Sequence, residues 1–191
     1  MEPQVRKGKD YERLATNINP GGWLVDTERP ISTLLGSCVA VCLYDPRLRL
    51  AGMNHFLLPS RSAGANDDTD VVLAGDFAME VLVNAMLAKG ARKERMVAKA
   101  FGGGNIVSSI LTAIGDRNAE FAVEWLAREG IPLTASDFGG PWSRKVICVP
   151  ESGDAFCRRS PVTKAVVEVV KAEAAYEQAI SHPKIKKVEL F

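Results

Sequence analysis

The chain has 191 residues, of which 47% are hydrophobic and 25% charged, and its 24 Lys and Arg balance 23 Asp and Glu to leave a net charge of +1. That length and apolar content suit one domain that builds a core without disulfide or metal staples, and they exclude intrinsic disorder. The charge balance excludes a general polyanion binder, so no nucleic-acid partner is expected. The longest apolar stretch, Leu34 to Tyr44, holds 11 residues against the about 20 of a membrane span, so no membrane insertion is expected. Residues 1–20 lack the apolar centre of a secretory signal, which points to a cytoplasmic protein. In that compartment Cys38, Cys42, Cys148 and Cys157 are expected as free thiols.

Residues 1–22 read as an irregular N-terminal segment that ends in the turn Asn19-Pro20-Gly21-Gly22. Trp23-Leu24-Val25 reads as a short strand and Asp26 to Pro30 as a turn. Ile31 to Leu35 then runs into a break at Gly36-Ser37-Cys38, followed by the apolar run Val39 to Tyr44, which Asp45-Pro46 closes. A continuous apolar run between turn residues is the pattern of a buried strand. Leu50 to Leu58 is a second such run, ended by Pro59, and the two predict a hairpin around Asp45–Arg49.

Residues 60–70 are small and polar and read as an exposed loop. From Val71 to Lys89 the pattern turns helical, with Leu73, Phe77, Val81 and Ala85 recurring at a spacing of four and Gly90 as the stop. Met96 to Phe101 reads as a strand entering Gly102-Gly103-Gly104. A second helix over about 116–129 buries Phe121, Trp125 and Leu126, and Pro132 to Phe138 is a strand. Lys145–Pro150 and Asp154–Arg158 predict a hairpin. A last helix, about 162–180, has Ala and Val on one side and Lys164, Glu168, Lys171 and Glu173 on the other. The tail 181–191, with Lys184, Lys186 and Lys187, reads as a loose end or an added edge strand. Residues 23–180 thus form a single domain, and the lack of strict strand–helix alternation favours α+β layers over a doubly wound sheet.

The densest chemical signal is Ser32-Thr33-Leu34-Leu35-Gly36-Ser37-Cys38. A cysteine between a tight turn and a buried strand can present its sulfur at the strand end, with neighbouring N–H groups facing a substrate carbonyl. A lone cysteine in an apolar run is more often core, and Cys42, Cys148 and Cys157 read that way. His55 stands in the strand that the hairpin sets beside Cys38, and strand neighbours lie about 5 Å apart. An imidazole bonded to a backbone carbonyl in the core is the plainer reading of such a residue. An imidazolium there would instead lower the thiol pKa and ready a nucleophile. A third polar group normally orients the imidazole, and Ser32 and Thr33 are the candidates near Cys38.

The run Ile31 to Pro46, with LGSC at residues 35–38, followed by Gly52-Met53-Asn54-His55-Phe56-Leu57-Leu58-Pro59, resembles the chemoreceptor glutamine deamidases of the CheD family. The resemblance continues through Lys99–Asn105 and Gly139-Gly140…Arg144-Lys145-Val146 and covers most of residues 20–160. It implies a layered α/β sandwich of mixed, largely antiparallel sheet with flanking helices. It implies an amidohydrolase that converts glutamine side chains on the cytoplasmic helices of methyl-accepting chemotaxis receptors to glutamate and releases ammonia, without metal or organic cofactor. The nucleophile would be Cys38 and the base His55. The family's hydroxyl, a threonine six residues before the cysteine in some members, matches Ser32, with Thr33 next to it. Ser37 and Thr33 are taken as substrate-side groups, with Ser37 and the Cys38 N–H at the oxyanion. A CheC-type phosphatase is a partner of some members. The rival class is a non-enzymatic binding module for the same receptors or phosphatase.

Phe101–Asn105 lacks the Lys-Ser/Thr of a phosphate loop and reads as a tight turn packed near Cys38. Cys148 and Cys157 have no histidine or CxxC beside them to suggest zinc. Arg92, Lys93, Arg95, Arg158 and Arg159 read as solvated turn residues, with steering toward acidic receptor helices as the alternative.

Overall fold

The computed structural model describes residues 8–58, 68–106, 112–161 and 164–181. In chain order the elements are α1 (Gly8–Leu14), β1 (Thr16–Asn17), β2 (Trp23–Asp26), β3 (Ile31–Leu35), β4 (Val39–Asp45) and β5 (Leu50–Asn54). They continue with α2 (Asp68–Ala88), a 3-10 turn (Lys93–Arg95), β6 (Val97–Gly102), α3 (Thr112–Arg128), β7 (Leu133–Phe138), β8 (Ser143–Cys148), β9 (Ala155–Ser160) and α4 (Lys164–Ser181). The strands form a five-stranded sheet in the order β2-β5-β4-β6-β7 and a four-stranded sheet in the order β1-β3-β8-β9. The β1–β3 and β6–β7 pairs are parallel and the others antiparallel, so the sheets are mixed as expected.

The sequence of β4 sets the layers. Side chains alternate across a strand, so an unbroken apolar run needs a partner on both faces. Val39, Val41 and Leu43 share a core with Met79, Leu82 and Met86 of α2 and Trp125 and Leu126 of α3. Ala40 and Cys42 point the other way, into a second core with Ile31, Leu35, Val146 and Cys148 of the four-stranded sheet. The order is therefore α2 and α3, five-stranded sheet, four-stranded sheet. The hairpin expected around 45–49 is present, with Cys42 opposite Met53 and Asp45 opposite Leu50. Asp45 is fully buried at its mouth. Its carboxylate accepts the Arg47 and Arg92 N–H groups and the Arg95 guanidinium, which holds its pKa below the usual carboxylate range.

Three local expectations change. The N-terminal segment is not irregular throughout: α1 forms, Tyr11 stacks on Phe156, and Glu12 meets Arg158. The buried face of α2 carries Met79, Leu82, Val83 and Met86, while Phe77 is 69% exposed. The strand opposite decides this, because Gly52 in β5 leaves room that Leu82 and Met86 fill. On α4, Glu173 is buried and does not belong to the solvent face. The basic turn residues have partners within the chain: Lys93 with Glu129, Arg95 with Asp45, Arg158 with Glu12 and Arg159 with Asp137. Among the described residues, no helix is long and apolar enough to cross a membrane. The loop expected at 60–70 lies outside the described residues up to 67, and the tail lies outside them from 182.

Candidate active site

The turn Gly36-Ser37-Cys38 carries the chain from β3 in one sheet to β4 in the other. Its carbonyls are fixed from behind. Gly36 O accepts the Gly104 N–H at 2.9 Å, Cys38 O accepts the Gly103 N–H at 2.9 Å, and Ser37 O accepts Asn118 Nδ2 at 3.0 Å. The glycine run after β6 is thus the tight turn expected beside the cysteine. Gly102 adopts φ 123°, and a Cβ there would collide with the Cys38 carbonyl oxygen, so no other residue fits.

With the carbonyls held back, the three N–H groups of the turn converge on one point, which the Glu173 carboxylate occupies. Its Oε1 accepts from Gly36 N at 2.7 Å and Cys38 N at 3.3 Å, and its Oε2 from Ser37 N at 2.8 Å and Ser37 Oγ at 2.9 Å. Successive N–H groups of this kind form an anion-binding nest.

His55 follows β5 directly. Its backbone is clamped by the Asn19–Gly22 turn: His55 N–H donates to Gly22 O at 2.9 Å, and Gly21 N–H donates to His55 O at 2.8 Å. An antiparallel bridge pairs Val39 with Phe56. That register sets His55 diagonally across from Cys38 on the same face, within side-chain reach. The Cys38 sulfur, a ring nitrogen of His55 and a Glu173 oxygen lie within 4.8 Å of one another, and all three residues are buried.

The hydroxyl that meets His55 belongs to Thr33. Its Oγ1 lies 2.8 Å from His55 Nδ1 and also donates to Ile18 O at 2.8 Å. A hydroxyl has one proton, so with that proton on Ile18 O the imidazole must donate through Nδ1–H. The Nε2 lone pair is then free on the side of Cys38 and Glu173, and Nε2 is buried with no hydrogen-bond partner among the described residues. Ser32 does not reach His55. Its hydroxyl meets Asn17 Oδ1 and Lys145 Nζ instead, because neighbours on a strand point to opposite faces.

Burial pushes the His55 pKa down to about 3, so the ring is neutral. Burial and then the charge of Glu173 push the Cys38 thiol well above its ordinary value. With Glu173 in place, burial favours a neutral thiol beside a neutral imidazole over an imidazolium–thiolate pair. The other cysteines are free thiols, with Cys42 and Cys148 buried. Cys38, His55 and Glu173 also have the donor types of a metal site. Both Glu173 oxygens already accept two hydrogen bonds each, so an ion would have to pull the carboxylate out of the nest.

Two residues at this site escape the sequence reading. Asn118 sits on the buried side of α3, and its Oδ1 accepts the Leu58 N–H while its Nδ2 holds Ser37 O, so it ties both sides of the site together. Glu173 stands three and four residues after Val170 and Val169, on the apolar stripe of its helix, and that spacing was the available signal.

A thiol, an imidazole of fixed tautomer and a ring of N–H donors at the end of two sheets are the parts used in acyl transfer through cysteine. The chain belongs to the CheD family, whose model, described as CheD chemotactic sensory transduction, matches residues 57–159. It is 55% identical to the probable chemoreceptor glutamine deamidase CheD 2 of Dechloromonas aromatica (strain RCB), over 100% of both chains. It is 46% identical to the probable chemoreceptor glutamine deamidase CheD 1 of Shewanella oneidensis, over 80% of this chain and 75% of the relative. A slight likeness, at 15% identity and TM-score 0.38, links 60% of this chain to 49% of the crystal structure of Bacillus licheniformis hypothetical protein YfiH.

Proposed function

We propose that the protein is a cysteine-dependent protein-glutamine amidohydrolase that deamidates chemoreceptor glutamine side chains to glutamate. Two lines support this: the relatives named as chemoreceptor glutamine deamidases, and the junction of a thiol, a free imidazole lone pair and an N–H nest. The observation that carries the chemistry is the Thr33 hydroxyl on Nδ1, since it leaves Nε2 as the acceptor facing the sulfur.

In this mechanism His55 Nε2 takes the Cys38 proton as sulfur attacks the amide carbon of the glutamine side chain. The oxyanion rests on the N–H groups of Gly36 and Cys38, where the geometry already holds a carboxylate oxygen. The proton on Nε2 passes to the leaving nitrogen, ammonia departs, and a thioester remains on Cys38. Water then gives a proton to Nε2 and attacks the thioester, the C–S bond breaks, and the proton returns to sulfur. The product is a glutamate side chain, and no redox partner takes part. Ser37 Oγ is suited to the side-chain group of the substrate that faces away from Cys38.

The test is incubation with a chemoreceptor cytoplasmic fragment. Each conversion adds about 1 Da and releases one ammonia, and Cys38→Ala is expected to abolish both because the nucleophile is gone. Unchanged conversion by Cys38→Ala would end this reading.

A further inference from the structure

A helix kept for packing buries an apolar stripe. Among the described side chains of α4, the single buried one is Glu173, 4% exposed, while Val167 is 46% exposed. A buried carboxylate needs compensation. Here the compensation is the N–H nest beside Cys38, since the nearby His55 is neutral. The fit is close on the domain side as well: a Cβ on Gly36 would stand 2.7 Å from Glu173 Oε2. Val170 and Ala174 flank this contact and face Ser37, Leu57, Ile106 and Ile114 across a cleft. Tyr176, one turn further, lies against Gly21, where an added Cβ would come within 2.5 Å of its ring.

The group in the nest is a glutamyl side chain presented by a helix. That is the chemical form of the product in the reaction proposed above, on which this inference rests. We propose that α4 is docked in the substrate's seat: the surface it covers receives a helix that presents glutamine, and Glu173 stands there as an internal product mimic. A substrate helix and α4 then bind in turn. The carboxylate suits the nest better than an amide does, because both of its oxygens accept N–H bonds, whereas an amide nitrogen would face the Ser37 N–H as a second donor. Retention of α4 therefore opposes substrate binding and leaves the chemical step alone.

The test uses the full chain and a chemoreceptor cytoplasmic fragment. Glu173→Ala and Tyr176→Ala are expected to lower KM about tenfold with kcat unchanged, as removal of an internal competitor requires. Alkylation of Cys38 by iodoacetamide is expected to speed up in both. A lower kcat in Glu173→Ala, or unchanged KM and alkylation in both variants, overturns the proposal. Glu173→Gln supplies a second readout, since it sets an amide in the seat. That amide is expected to be hydrolysed back to glutamate, with a gain of about 1 Da, and to persist when Cys38→Ala is added. Its persistence in a chain that still deamidates the receptor fragment overturns the proposal. If no chain, wild type included, acts on the fragment while alkylation still accelerates, the glutaminase reading fails and the docking of α4 over the thiol is supported.

Discussion

At the scale of single residues, one hydroxyl proton decides how the imidazole is used. Thr33 gives that proton to Ile18 O and so accepts from Nδ1. Thr33→Val removes the acceptor, frees the ring to change tautomer and leaves Ile18 O to the longer 3.4 Å bond from Asn17 Nδ2. The expected loss is roughly 100-fold in kcat and about 1–3 kcal/mol of stability. Ser32→Ala, on the opposite face, is expected to keep wild-type kcat, and equal losses in the two variants would refute the assignment. The ring itself predicts an acid response. Its pKa is about 3 when folded, against 6.5 when unfolded, because burial disfavours the charged form. The unfolded chain therefore takes up a proton that the folded chain refuses. Stability held above pH 6.5 should fall on acidification toward pH 3, by up to about 1.4 kcal/mol per pH unit. Denaturant midpoints measured from about pH 6.5 to 4.5 should drop in the wild type and stay flatter in His55→Asn. Cys38 and His55 were legible in the sequence as a strand-end thiol and a lone polar residue in an apolar run. Ser32 and Thr33 were not separable there, since a one-residue change of register exchanges the two faces.

At the scale of elements, the nest is made by what lies behind it. Three carbonyls are pulled back by Gly103, Gly104 and Asn118, so the three N–H groups point forward. Asn118→Ala should leave Ser37 O and the Leu58 N–H buried without partners, at about 1–3 kcal/mol each. It should also reduce kcat more than it raises KM, since the oxyanion donors lose their aim while the substrate surface remains. A variant that is destabilised but has normal kcat would limit Asn118 to a structural role. The turn Phe101–Asn105 was readable from its glycines, and the hairpin β4–β5 from two apolar runs and their stop residues. The buried face of α2 was not. Its apolar residues at 73, 77, 81 and 85 and those at 79, 82, 83 and 86 both satisfy helical spacing. The choice comes from Gly52 on the neighbouring strand, which leaves a hollow for Leu82 and Met86. Glu173 was hidden for a related reason: a carboxylate on a helix is normally solvated, and the N–H groups that donate to it lie more than a hundred residues away in sequence.

At the scale of the whole molecule, the site depends on how the two sheets are joined. Asp137 lies next to the last residue of β7 at the edge of the five-stranded sheet, and Arg144 and Arg159 belong to β8 and β9 of the other sheet. Arg144 is 1% exposed, and besides Asp137 it donates to Gly139 O at 2.6 Å and Trp142 O at 3.3 Å. It thereby holds the 139–142 turn. Gly140 O in that turn accepts the Asn105 N–H, and Gly104 just before it secures Gly36. A chain of contacts therefore runs from a cross-sheet ion pair to the nest. Arg159 and then Arg144 hold the Asp137 pKa down to about 2. Because the folded value lies below the unfolded one, the contribution is present above about pH 4 and is lost as pH falls toward 2. Asp137→Asn leaves the sealed Arg144 charge uncompensated and should lower stability by about 3 kcal/mol. Arg159→Ala removes a partner that is 56% exposed and should change stability far less, because an exposed ion pair is screened by solvent. Through this chain of contacts, Asp137→Asn should also slow Cys38-dependent turnover at temperatures where the variant is still fully folded. Arg159→Ala should not. Denaturant melts paired with turnover at one low temperature separate the two effects, and a destabilised Asp137→Asn with wild-type turnover would show that the sheets can loosen without disturbing the nest.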